Sequence, residues 1–354
     1  METLTGISIK KTNRSSLKEV DFEHLEFGKY ISDHMLVCDY REGEWQQPKI
    51  VPFANLSLSP ATLALHYGQT VFEGMKAFRL HDGRINIFRI NKHHDRFNRS
   101  LSRMCMPEVP EEIFIEGLTQ LIKLDKEWVP SKEGNSLYIR PFMYASEAKM
   151  GIKVSDEYRL VIITSPVQSV FAKSIKVKVE TQYIRAAKGG TGFAKCGGNY
   201  GGAFYPTQLA KQQGYDQVLW TGGKDNRFIE ESGMMNAMFV INDTLITPPV
   251  SDSILDGVTR DSLLTLARDM GIKTEERPVS IDEIKTAFIN HTITEEFGAG
   301  TAAVVAPIEI ICIDGTDYSL PAYDEKNVLN ILKHKLHVLR TGLEADHYKW
   351  NSVV

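Results

Sequence analysis

Cysteine is scarce in this chain. Its four cysteines, Cys38, Cys105, Cys196 and Cys312, are scattered, with no CxxC pair and no metal-ligand spacing. That speaks against a disulfide scaffold or a metal centre and makes a reducing cytoplasm the natural setting. Charge of one sign is lacking too: the net charge is −4, with no basic cluster and no long acidic block. Nothing points to nucleic acid as a partner or to an acidic tail. Met1 to Val20 lacks an apolar h-region, so no secretory signal is expected. The longest nearly apolar run, Thr301 to Ile313, is broken by Glu309. It falls short of the roughly 20 residues a membrane helix needs. It reads as buried strand and turn, and no membrane partner is expected. Internal repeats and low-complexity segments are absent as well.

What is present is the composition of an ordinary globular protein, with ample apolar residues for a core. At 354 residues the chain suggests two domains, on a prior of about 100–200 residues each. Residues 1–165 read as a small N-terminal α/β domain, of which 1–25 are a polar lead-in. Residues 166–174, with a proline and small polar residues, read as a linker. Residues 175–354 form the larger domain.

In the first domain, His81-Asp82-Gly83-Arg84 marks a hairpin turn between Lys76–Arg79 and Ile85–Phe88. Asn91 to Met104 and Glu111 to Trp128 read as helices, the second with Phe114, Leu118, Leu121 and Ile122 on one face. Asn135 to Tyr144 and Tyr158 to Ser165 read as strands. In the second domain a strand is expected from Ile175. A helix over Ala203 to Gln213 should be closed by Gly214. Gln217 to Trp220 and Phe228 to Ile229 read as a hairpin, and Met238 to Ile246 as sheet around Asn242-Asp243. A helix is expected over Asp261 to Met270. Ser280-Ile281-Asp282-Glu283 fits a capping box before a short helix. Glu325 to Leu343 reads as a long helix.

The most informative stretch is Thr191-Gly192-Phe193-Ala194-Lys195-Cys196-Gly197-Gly198-Asn199-Tyr200-Gly201. One lysine stands among small residues that let a ligand approach closely. A tyrosine follows five positions on, and Glu230-Glu231-Ser232-Gly233 lies downstream. A nucleophilic lysine, a phenol and a buried carboxylate are what pyridoxal 5′-phosphate (PLP) requires: a covalent anchor, a partner for the ring hydroxyl and a partner for the pyridine nitrogen. On glycine content alone the stretch reads equally as a flexible surface loop. A nucleotide-phosphate loop fails on spacing, because Ala194 and Cys196 stand where glycine and Ser or Thr are required.

A longer series of segments decides between these readings. They are Phe27-Gly28, Asp33-His34-Met35-Leu36, Leu65-His66-Tyr67-Gly68, Val71-Phe72-Glu73-Gly74-Met75-Lys76-Ala77-Phe78, Asp95-Arg96 and Tyr138-Ile139-Arg140-Pro141. Lys195 to Gly201, Gln217 to Trp220, Glu231-Ser232-Gly233, Gly257-Val258-Thr259-Arg260 and Gly300-Thr301-Ala302 complete the series. With these segments in this order, the chain resembles the branched-chain amino acid aminotransferases of the fold-type IV PLP enzymes, from Phe27 almost to the C-terminus. The resemblance implies an α/β (α+β) two-domain fold, the larger domain having a β-barrel-like sheet core. It implies reversible transamination of leucine, isoleucine and valine with 2-oxoglutarate, PLP as cofactor, and a homodimer.

By resemblance, Lys195 holds PLP and moves the proton at the substrate α-carbon. Glu231 partners the pyridine nitrogen and Tyr200 the ring hydroxyl. Neighbours in an extended segment point to opposite faces, so Glu230 is expected to face solvent. Arg96 matches the phosphate arginine; otherwise it would read as a helix-surface charge. Val258 and Thr259 lie where a helix begins, a ready anion site. Thr301 should donate to the phosphate, and the amides of Thr301 and Ala302 should hold the substrate α-carboxylate. A loose G-x-G-x-x-A reading of Gly298 to Ala303 lacks a βαβ context. Phe27, Tyr67, Phe72 and Tyr138 are implied pocket walls. Arg140, two residues from Tyr138 and so on the same strand face, is the candidate for the γ-carboxylate of glutamate. Ile152 matches a residue supplied by the neighbouring subunit. His93-His94 and Cys196 are assigned no chemistry.

Two departures stand out. Ala303 and Ala306 replace a redox CxxC found in some members, and Met234 replaces a threonine found in many. The alternatives are a D-amino acid aminotransferase, an aminodeoxychorismate lyase, a non-catalytic protein of the same fold and, more distantly, a nucleotide-binding dehydrogenase. The Tyr138-x-Arg140 pair and the length of the N-terminal domain argue against the first two, and Lys195, Glu231 and Arg96 against the third.

Overall fold

The computed structural model describes residues 6–168, 173–302 and 304–354. The centre of the expected linker and Ala303 lie outside the described residues. The chain forms two compact units, 1–169 with 194–198 and 339–354, and 170–193 with 199–338. The short segment that carries Lys195 and the C-terminal 16 residues therefore cluster with the first unit.

The first unit is built on a mixed sheet. Its strands are β1 (Ser8–Ile9), β2 (His34–Arg41), β3 (Glu44–Trp45), β4 (Lys49–Pro52), β5 (Thr70–Phe72), β6 (Met75–Arg79), β7 (Ile85–Phe88), β8 (Ser136–Ala145) and β9 (Tyr158–Val167). They run in the order β1-β4-β2-β9-β8-β6-β7, the C-terminal strand Asn351–Val353 adds to β7, and β3 and β5 pair with β2 and β8. The β6–β7 hairpin is present as expected. The polar lead-in is tied down by the β1–β4 pairing and by Asp33, which accepts from Ser15 and Ser16. Strand β9 runs through Pro166 and Val167, where the sequence suggested the linker begins.

Helices α1 (Leu63–Tyr67), α2 (Ile90–Arg103) and α3 (Gly117–Leu124) accompany this sheet. Phe97 and Leu101 of α2 pack in one core with Phe114, Leu118, Leu121 and Ile122. The helix expected over Glu111 to Trp128 is not continuous. It opens with a π-turn at Glu112–Glu116, continues as α3 and ends in a 3-10 turn at Lys126–Trp128.

The second unit holds β10 (Ile175–Glu180), β11 (Gln217–Gly222), β12 (Phe228–Ser232), β13 (Met235–Ile241), β14 (Thr244–Thr247), β15 (Thr274–Glu276), β16 (Ile293–Gly300), β17 (Val304–Ile313) and β18 (Thr316–Ser319). Six of them close on themselves in the order β12-β11-β10-β17-β16-β13, because β12 also pairs with β13. This is the barrel-like core that the resemblance implies. Closure leaves those six strands no free edge among themselves. Its core includes Val177, Leu219, Phe239, Ile308 and Ile311. Helices α4 (Gly198–Gly201), α5 (Phe204–Gln212), α6 (Val258–Asp269), α7 (Ile281–Ile289) and α8 (Val328–Arg340) follow. Ser280 caps α7 by accepting from the Glu283 N–H at 3.0 Å, half of the expected capping box. Helix α8 is shorter than the sequence suggested, by three residues at each end.

Candidate active site

In the first unit, strand β8 presents Tyr138 and Arg140 to one face. Arg140 Nη2 donates to the Tyr138 hydroxyl at 2.9 Å, and its guanidinium lies 4.8 Å from the ring centroid of Phe72. Phe27 meets Tyr138 edge-on, with ring centroids 4.9 Å apart. Tyr138 is buried, yet its hydroxyl sits where a β-carbon on Gly74 would be, 2.1 Å from that position. Only glycine fits there, so the Gly74 backbone is part of the pocket wall. Tyr67 ends α1, half exposed, and packs beside His66. Ile152 is 91 % exposed in a loop that also exposes Met150 and Val154.

Lys195 reaches this face by backbone pairing. The Phe72 N–H donates to the Lys195 carbonyl, the Gly197 N–H donates to Thr70, and Cys196 bridges Val71. The Lys195 N–H donates to Ser100 Oγ of α2 at 3.0 Å. Lys195 Nζ then stands 4.8 Å from the centroid of Phe72, the ring that Arg140 also covers. Cys196 is buried in the core, a packing residue.

Arg96 is buried rather than on the helix surface. Its Nε and Nη2 donate to the two oxygens of Glu73 at 2.6 and 2.8 Å, and His93 Nδ1 meets the same carboxylate at 2.8 Å. Burial would raise the Glu73 carboxyl, but Arg96 and His93 beside it outweigh that and hold it well below the usual range. Burial lowers His93, against the pull of Glu73. Sequence reading gave Glu73 and His93 no role. The signal available was that an arginine buried on a helix needs a carboxylate.

In the second unit, Glu231 and Asn236 are a cross-strand pair between β12 and β13. Both hold Leu255. The Leu255 N–H donates to Glu231 Oε1 at 2.8 Å, and Asn236 Nδ2 donates to the Leu255 carbonyl at 2.9 Å. Arg185 Nε stands 3.2 Å from Glu231 Oε2. Two residues on, a β-carbon on Gly257 would come 1.9 Å from Asn236 Oδ1. Gly257 is the N-cap of α6 and supplies no side-chain cap, so the first-turn amides at Val258 and Thr259 begin a bare helix start. Leu255 thus locks a buried carboxylate and a helix N-terminus to each other. Tyr200 lies on α4, and Thr301 and Ala302 follow β16, half-buried and exposed.

One expectation is corrected here. Glu230 does not face solvent; it is buried and accepts from Ser253 Oγ, while its Oε2 has no partner among the described residues. Burial pushes this carboxyl up, against the hydrogen bond from Ser253. Ser253 covers Glu230, and Gly222, whose missing β-carbon leaves the space, makes room for its carboxylate.

Taken unit by unit, the residues suit parts of a phosphorylated pyridine aldehyde. In the first unit a primary amine and a buried arginine can bind an aldehyde and a phosphate; in the second a bare helix start suits a phosphate and a cation-paired carboxylate a protonated ring nitrogen. No group of three or more His, Cys, Asp or Glu among the described residues could hold a metal, and no described helix is long and apolar enough to cross a membrane.

The amino-transferase class IV family matches residues 70–311. The chain is 43% identical over 352 residues to a probable branched-chain-amino-acid aminotransferase of Staphylococcus epidermidis, covering 97% of each chain. It is 47% identical over 300 residues to branched-chain-amino-acid transaminase 1 of Bacillus subtilis, covering 83% of this chain and 84% of that one. It shares a fold with the branched-chain amino acid aminotransferase of Thermobaculum terrenum solved in its PLP-bound holo-form. The TM-score is 0.73 at 20% identity, over 91% of this chain and 98% of that one.

Proposed function

This chain belongs to the class IV aminotransferases, among the branched-chain-amino-acid aminotransferases, and on that premise we propose how its residues bind PLP and transfer the amino group of leucine, isoleucine or valine to 2-oxoglutarate. The observation that carries the reading is the shared Phe72 ring. It takes the Lys195 amine and the Arg140 guanidinium, each 4.8 Å from its centroid. An amine for chemistry and a cation for a distal carboxylate thus belong to one apolar pocket, which a substrate pair that is half aliphatic and half acidic requires.

Lys195 anchors the cofactor, and its amine carries the proton that leaves and returns to the substrate α-carbon. When bound, PLP supplies an electron sink for the α-carbon's negative charge. Glu231, fixed by Leu255 and Arg185, keeps a negative charge at the ring nitrogen, and Tyr200 binds the ring hydroxyl. Arg96, oriented by Glu73, binds the phosphate with the Val258 and Thr259 amides and the Thr301 hydroxyl. The amides of Thr301 and Ala302 bind the substrate α-carboxylate. Phe27, Tyr67, Phe72 and Tyr138 exclude water from the side chain, and Arg140 binds the γ-carboxylate of glutamate. The chain acts as a homodimer in which Ile152 of the partner subunit closes the pocket; the exposed apolar loop around Ile152 supports this. The setting is cytoplasmic, which the four free, scattered cysteines favour.

Purified protein given L-leucine and 2-oxoglutarate is expected to form L-glutamate. Turnover of D-alanine with no turnover of L-leucine would reject the reading.

A further inference from the structure

Among the described residues three arginines are buried, Arg96, Arg260 and Arg340. Two of them meet a carboxylate: Glu73 accepts from Arg96 at 2.6 Å, and Glu276 accepts from Arg260 at 2.7 Å. Arg340, the last residue of α8, meets none. It is 8% exposed. Its Nε is buried with no acceptor, and its guanidinium has no acid partner among the described residues. What the guanidinium touches is the ring of Phe78, 4.7 Å from the centroid. A ring covers one face of the planar cation, while the N–H groups lie in its plane, so Phe78 leaves Nε unanswered. Burial brings the guanidinium down to about 10, so it stays charged at neutral pH. Its backbone is tied in place. Asn86 Nδ2 donates to the Arg340 carbonyl and to Asn351 Oδ1, each at 2.7 Å, and Asn351 Nδ2 donates to the Leu339 carbonyl at 2.8 Å. Asn86 belongs to β7 and Asn351 to the C-terminal strand that pairs with it. All of these residues from Phe78 to Asn351 lie in the first unit.

We propose that Arg340 is the centre of an anion-binding site that takes a small monovalent anion, a halide or the carboxylate of a short acid. A charge taken out of water without a counter-charge is costly, and so is a buried donor without an acceptor. A water at Nε would answer the hydrogen bond and leave the charge; an anion answers both. The Nε–H and the neighbouring Nη–H lie parallel on one edge of the guanidinium, an arrangement that takes a carboxylate at two points or a halide in the cleft between them. A dianion such as sulfate gives up far more hydration on burial, which favours a single charge. Asn86 joins the Arg340 carbonyl to the C-terminal strand, so the anion also steadies residues 339–354 against β7. The site stands whether or not the Tyr138–Arg140 face is the side-chain pocket.

The test uses the PLP-loaded protein in Tris-sulfate, free of halide, with chloride added at constant ionic strength. Chloride-35 NMR is expected to show an excess linewidth that saturates and is competed away by bromide and by formate, but not by further sulfate. Either order of potency between bromide and formate supports the site and says which anion it favours. In Arg340→Met this component should be lost. Arg340→Lys keeps the charge without the two-point edge and serves if the methionine variant does not fold; it should weaken the component roughly tenfold. Calorimetry gives a second readout. Arg340→Met, rid of an unpaired buried charge, should melt above the wild type in Tris-sulfate. Chloride at about a hundred times its Kd should close that gap by roughly 3 °C. No saturable component, one that survives in Arg340→Met but is lost in Arg140→Met, or a gap indifferent to chloride overturns the proposal.

Discussion

At Glu73 three groups meet that no single motif joins. Its carboxylate holds Arg96 in a two-point bond and accepts from His93, all three buried. Removing one partner of such a group leaves the others uncompensated, which costs about 3–5 kcal/mol. Glu73→Gln is therefore expected to lower the unfolding free energy by about that amount and to weaken PLP binding, measured by denaturant titration and by fluorescence titration of the apo-protein. The sign with pH follows from its depressed carboxyl. The wild type has this stability above the unfolded carboxyl value of about 4.3 and loses it as pH falls further. The variant should show a shallower acid transition. Arg96 was legible in the sequence only through resemblance, because local pattern assigns an arginine on an amphipathic helix to the surface. Glu73 and His93 lie 20 residues apart, and their pairing depends on how β5, β6 and α2 pack. Glu230 shows the converse limit: alternation assigned it to solvent, but Ser253, far along the chain, covers it.

At the scale of elements, period and caps were readable and continuity was not. The β6–β7 hairpin, α2, α5, α7 and its Ser280 cap follow from turn residues, apolar spacing and a hydroxyl before an acidic first turn. The π-turn before α3 escaped notice because one extra residue in a turn leaves the apolar face nearly unchanged. Strand β16 contains the least expected side chain. Glu296 pairs with Phe239 of the barrel core, is fully buried, and neither of its carboxyl oxygens has a partner among the described residues. Burial raises it well above the ordinary carboxyl value. An acid raised in the fold costs stability as pH climbs above its unfolded value of about 4.3, and the loss accumulates until pH reaches the folded value. Glu296→Met is thus expected to raise the thermal midpoint at about pH 8 by roughly 2–4 °C or more, with a smaller gain at about pH 5. Differential scanning calorimetry at the two pH values checks this; an equal change at both would contradict it.

At the scale of the whole molecule, the fold class was legible because the matching segments stand in order along nearly the full chain, and the closed six-strand core agrees with it. The return of residues 194–198 and 339–354 to the first unit was not legible, since neither segment differs in composition from its surroundings. The exposed Met150, Ile152 and Val154 make assembly testable. On the homodimer proposed above, Ile152→Asp is expected to shift sedimentation toward monomer and to raise KM for L-leucine about tenfold, as a charge replaces an apolar wall. Unchanged sedimentation with unchanged KM would contradict a role for Ile152 at a shared pocket. The account as a whole depends on the amine beside Phe72. Borohydride reduction of the purified holoprotein followed by peptide mapping tests this most directly. The account predicts a single phosphopyridoxyl adduct on Lys195, lost in Lys195→Ala and retained in Lys76→Met; an adduct on another lysine, or none, would contradict it.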